Sequence, residues 1–173
     1  MQPYPPLFAV LALAAAGHLA APSAAPAAGA CTAAGRAAAV VTIAAPDGPS
    51  PAGLAIVVSY PPDLVGLPAT GESAEVRSRV LDVPDGFLLA TDDRDDALRL
   101  SLASGTATLA DGAILTVSFD RCAGAARPRA EDFGCRVRSA ADEFGQPLEN
   151  ITCAVTLPPA AASAPEPTEV DPT

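Results

Sequence analysis

Large apolar residues recur at every second position in several separate runs of this chain. Leu54, Ile56, Val58 and Tyr60 share one side of the first run, and Leu98, Leu100 and Leu102 share another with Arg99 and Ser101 opposite. Leu115, Val117 and Phe119 repeat the pattern within Ile114 to Phe119, as do Ile151, Cys153, Val155 and Leu157. A period of two is the mark of strands with one buried and one wet face. Less regular candidates occupy 38–44, 76–83, 87–91 and 134–139. Turn chemistry separates these runs at Pro46 to Pro51, Pro84-Asp-Gly86, Asp111-Gly112 and Phe144 to Pro147. Short strands in this number, with no amphipathic helix between them, predict an all-β antiparallel sandwich.

The first run stops at Tyr60-Pro61-Pro62. Proline gives no N–H to a sheet ladder and holds the preceding residue extended, so the strand must end there. Pro62 can open a single helical turn through Asp63, Leu64 and Val65, with Gly66 to end it, folding Leu64 and Val65 over the end of the core.

The flanks differ in composition from this central region. Leu7 to Ala16 is an apolar run too short to span a bilayer, followed by small residues and an Ala-x-Ala pattern at Ala28-Gly29-Ala30. Residues 1–30 are expected to be an export signal, although no basic side chain precedes the apolar run. Residues 31–157 form the folded domain, and 158–173 have the composition of an extended Pro/Ala/Glu tail. The even set Cys31, Cys122, Cys135 and Cys153 suits two disulfides in an oxidising compartment, which argues against lipid attachment at Cys31.

The formal net charge is −10, and all ten basic residues are arginine. Such a chain repels phosphates, which disfavours nucleic acid as a partner. Without the leader there is no His, no Lys and no unpaired Cys, so the usual nucleophile–base pairs are missing and the expectation is a protein that is not an enzyme.

Several residue strings resemble a known family. "AVVTIAA" is followed by a glycine before "LAIVVSYPPDLVGL", then by "LRLSLAS" and by "LADGAILTVSF". Together, over roughly residues 37–157, they resemble a cohesin-like domain of the carbohydrate-binding-module-like sandwich superfamily. Asp63-Leu64 matches the short segment after the family's early strand, and Gly112 to Phe119 loosely matches a later one. The resemblance implies a jelly-roll sandwich of eight or nine strands and a secreted or cell-surface role in protein–protein docking. In the family the partner is a dockerin, within assemblies that degrade polysaccharide. No dockerin-contacting residue carries over, and the cysteines depart from the family pattern. The alternative implied by the same superfamily is direct binding of polysaccharide. Flat sugar platforms use exposed Trp and Tyr, whereas this chain has no Trp and its Tyr60 faces inward on the strand pattern.

In a sandwich of this kind the first and last strands lie together. That implies a Cys31–Cys153 bridge, with Cys122 and Cys135 closing the loop "AGAARPRAEDFG" between them. Zinc is disfavoured by the cysteine spacings. Asp92, Asp93, Asp95 and Asp96 place four carboxylates within five residues and are the candidates for a calcium loop, set against a solvated acidic turn with Arg94 in its midst. Arg77 with Arg79, and Arg136 with Arg138, are expected to share strand faces that could meet an acidic partner or simply face water. Asn150-Ile-Thr152 matches a glycosylation acceptor.

Overall fold

The computed structural model describes residues 31–46 and 48–158. The expected leader and nearly all of the tail lie outside the described residues. Among those described, no helix is long and apolar enough to cross a membrane.

The period-two runs become strands. Nine are present among the described residues: β1 (Ala33–Ala44), β2 (Gly53–Ser59), β3 (Val65–Gly66), β4 (Val80–Leu81), β5 (Leu88–Arg94), β6 (Ala97–Ala103), β7 (Gly112–Cys122), β8 (Gly134–Ala141) and β9 (Thr152–Thr156). They build two antiparallel sheets. One has the order β3-β7-β1-β9, with β4 also pairing β7; the other has the order β5-β6-β2-β8. Only β5 and β6 are both consecutive and paired, so most connections cross from sheet to sheet and lock the two layers together. The fold is an all-β sandwich.

Its core is the alternation read from the sequence. Leu54, Ile56 and Val58 of β2 and Leu98, Leu100 and Leu102 of β6 are all buried, facing Val41, Leu115, Val117 and Phe119 of the other sheet. Each large aliphatic side chain so buried contributes roughly 1.5–3 kcal/mol. Tyr60, Phe119 and Phe133 pack with tilted rings, their centroids 4.9 Å (Tyr60–Phe119) and 5.6 Å (Phe119–Phe133) apart. In β7 both Ile114 and Leu115 point inward, which strict alternation forbids. The register explains it: Val41 pairs Leu115 and Thr42 pairs Ala113, leaving Ile114 as the extra residue of a bulge.

Two expectations about elements need correction. Residues 76–83 are not one strand: a four-residue helix, α1 (Ala74–Arg77), precedes the two residues of β4. The Ser73 hydroxyl accepts from the Val76 N–H at 3.1 Å and caps that turn, while Val76 itself is buried. After Pro61-Pro62 the expected turn does form, with the Leu64 and Val65 amides both donating to the Pro61 carbonyl. Gly66, however, continues into β3 rather than ending a helix. A Cβ at Gly66 would lie 3.3 Å from the Cys31 Cβ, so a side chain there would crowd the N-terminal segment.

The disulfides are Cys31–Cys122 and Cys135–Cys153, not the expected pairs. The premise was sound, because β1 does pair β9. The register places Cys153 opposite Ile43, at the far end of β1 from Cys31. Twelve extended residues at about 3.3 Å each put roughly 40 Å of strand between them. Cys31 instead reaches the end of β7, where Ala33 is opposite Cys122. Cys135 of β8 and Cys153 of β9 sit on the outermost strands of the two sheets, and their bridge fastens those edges.

Candidate functional site

The outward side of the β5-β6-β2-β8 sheet carries small residues: Ala55 and Val57 of β2, Ala97 and Ser101 of β6. Arg99, Arg136 and Arg138 border them and line a shallow cleft. The register gives the spacing. Val57 lies opposite Arg99 on one side and opposite Arg136 on the other, so two guanidinium stems flank one small apolar residue. Neighbouring strands are about 4.8 Å apart, which sets these two backbones about 10 Å apart across β2. Arg138 joins them because residues two apart on a strand share a face, with Val137 between them half-buried. It is the extra residue of β8 where the β2–β8 register slips between Ala55 and Ile56.

Little among the described residues neutralises this cluster. Arg99 approaches the Asp92 carboxylate only at 3.9 Å, and its side chain stays 61% exposed. Asp92 is already held by Arg94, whose Nε donates to both its oxygens at 2.9 Å. Among the described residues Arg136 and Arg138 make no ion pair. In a chain of net charge −10 this face is a local positive patch.

The other expected arginine pair does not form a stripe. Arg77 is exposed in the last turn of α1, whereas Arg79 turns inward and grips Asp120 through two hydrogen bonds of 3.0 Å. Arg36 also reaches Asp120, at 3.1 Å.

The four aspartates of the β5–β6 hairpin are dispersed by its geometry. Asp92 points outward to Arg94. Asp93, only 2% exposed, points inward, where the Tyr60 hydroxyl donates to its Oδ1 at 2.8 Å. Asp95 and Asp96 form the two-residue turn, with Asp95 at φ +55°. The four carboxylates do not converge, and among the described residues no group of three or more His, Cys, Asp or Glu is placed to hold a metal ion. Burial raises the pKa of Asp93, since removing a carboxylate from water penalises its charge, and neighbouring Asp95 and Asp92 add to this while Tyr60 opposes it. Burial beside Asp93 pushes the Tyr60 phenol up as well.

The rings are mostly spent on the core. Tyr60, Phe119 and Phe133 are buried and Phe87 is half-buried, leaving Phe144 exposed in the turn after β8. Asn150 is exposed at φ +62°, just before β9.

The pairing of Arg136 with Arg138 was legible from their spacing. The contribution of Arg99 was not, because it depends on which strand lies between β6 and β8.

Comparison with known proteins finds no family model, no curated protein and no solved structure that matches this chain.

Proposed function

We propose that this protein is a secreted, non-catalytic binding module that docks an acidic protein partner on the outer face of its β5-β6-β2-β8 sheet. The observation that carries the reading is the placement of Arg99 and Arg136 on either side of Val57, with Arg138 beside them. A partner carboxylate can accept two parallel hydrogen bonds from one guanidinium, and a sheet face of small residues lets another surface come close. Charges of this kind speed association and fix register more than they add affinity. Interlocked sheets and two disulfides give the face a rigid support, which lowers the ordering cost of binding. The resemblance to cohesin-like domains agrees with a docking role at the cell exterior, and a dockerin-like module is one partner of that description.

Direct polysaccharide binding is the second reading. It has Phe144 as its one largely exposed ring among the described residues, and a single ring is a poor stacking platform. The two readings separate when the exported chain and an R99E/R136E/R138E variant are immobilised side by side. Both are then exposed to the proteins of the organism's surface and to a panel of insoluble glycans. A protein retained by the native chain at low salt and lost with the variant supports docking. Retention of a glycan by both, with no such protein, supports the second reading.

A further inference from the structure

A second arginine cluster lies on the other sheet, at the point where the chain leaves the domain. Arg36 of β1, Arg121 of β7 and Arg127 of the β7–β8 connection line a cleft that also includes Leu157 and Pro158. The sequence from Pro159 to Thr173 carries three acids, Glu166, Glu169 and Asp171, and no basic residue. We propose that this acidic C-terminal segment docks in cis on the Arg36–Arg121–Arg127 cleft.

Three observations support that occupant. The first is unspent charge. Arg36 shares the single carboxylate of Asp120 with Arg79, and among the described residues the Arg121 side chain donates only to the Ala34 carbonyl, at 3.4 Å. Among the described residues neither Arg121 nor Arg127 makes an ion pair. The second is pre-organisation. Arg121 is next to Cys122, which is fixed by its bridge to Cys31, and Arg127 is next to buried Pro128. The cleft therefore pays little to receive a ligand. The third is reach. Pro158 is itself part of the cleft wall, so Glu166 begins eight residues from it. An extended Pro/Ala segment of that length spans up to about 25 Å, and such a short tether keeps the acids at an effective concentration on the order of millimolar.

The contact would cover this face of the β1/β7 sheet against other acidic ligands and leave the Arg99–Arg136–Arg138 face free.

The test uses the exported full chain with nitrogen-15 label, observing the arginine Nε–Hε resonances. In an E166Q/E169Q/D171N variant the Arg121 and Arg127 resonances should shift, and the amides of 166–171 should lose their steady-state NOE. Sodium chloride at about 0.5 M should move the native spectrum toward that of the variant, because salt screens exposed pairs. An R121Q/R127Q variant should produce the same loss of NOE in the tail, and tenfold dilution should leave the native spectrum unchanged. Arg121 and Arg127 resonances identical in the native chain and the tail variant would overturn the proposal. So would a response that appears at Arg99, Arg136 and Arg138 instead. Shifts that fade on dilution would assign the tail to a second copy and equally overturn the contact in cis.

Discussion

The Tyr60 hydroxyl stands 2.8 Å from Asp93 Oδ1 and 3.0 Å from the Asp95 carbonyl, inside the β5–β6 hairpin. It joins the end of β2, just before the two prolines, to the acidic hairpin on the neighbouring edge of the sheet. One phenol proton faces two acceptors here. When Asp93 is ionised its carboxylate accepts the hydrogen bond from the phenol O–H; when Asp93 is neutral its own O–H can donate to the phenol oxygen and leave the phenol O–H to donate to the Asp95 carbonyl. Tyr60→Phe removes the donor and strands a buried carboxyl. The expected cost is about 1–3 kcal/mol, read as a lower urea midpoint at an unchanged slope.

The same carboxyl sets a pH dependence. Its folded pKa is raised above the unfolded value, so the folded state binds the proton more tightly than the unfolded chain does. The stability it contributes is complete below the unfolded pKa of about 3.9 and is lost as pH rises through the folded value. Asp93→Asn removes that component. The stability of the native chain minus that of the variant should therefore fall as pH rises from about 4 through the raised folded pKa, measured by thermal unfolding at fixed ionic strength. A difference that grows with pH would contradict the assignment.

Two carboxylates near the surface should behave unlike each other. Asp120 receives a bidentate grip from Arg79, and both side chains are largely buried, at 14% and 13% exposed. Asp92 is as buried, at 16% exposed, but its partner Arg94 is 64% exposed, so the difference lies in the arginine. Asp120→Asn should cost about 1.5–3 kcal/mol, the usual range for charged hydrogen bonds away from water. Asp92→Asn should cost no more than about 1 kcal/mol, since solvent screens an exposed pair. Chemical denaturation of the two variants in parallel checks the order.

The disulfide pairing predicts both a map and an energy difference. Peptide mapping without reductant should recover Cys31 with Cys122 and Cys135 with Cys153. Their sequence separations are 91 and 18 residues. On loop entropy alone, removing the longer link costs about 4.5 kcal/mol and the shorter about 3 kcal/mol. C31A/C122A should therefore unfold at lower denaturant than C135A/C153A.

How far these features were readable from the sequence depends on the range of the interaction. The strands built on Leu54-Ile56-Val58 and Leu98-Leu100-Leu102 were legible because their period is local and one face is wholly apolar. The strand end at Tyr60 was legible because proline acts on its own neighbours. The cap of α1 at Ser73 was overlooked, since a four-residue helix has no period to detect. The bulge at Ile114 and the disulfide partners depend on register, which the pattern along one strand does not contain. Arg99 met Arg136 for the same reason: the strand between them was unknown until β2 was placed at the centre.

The docking claim is tested most directly by mapping where the partner sits. The protein captured by the native chain would be titrated into nitrogen-15-labelled domain while its amide and arginine Nε–Hε resonances are followed. The account predicts that the perturbed residues cluster on Ala55, Val57, Arg99, Ser101, Arg136 and Arg138, and that the complex weakens steeply with added salt. Perturbations confined to the β3-β7-β1-β9 sheet, with those arginines unmoved, would contradict it.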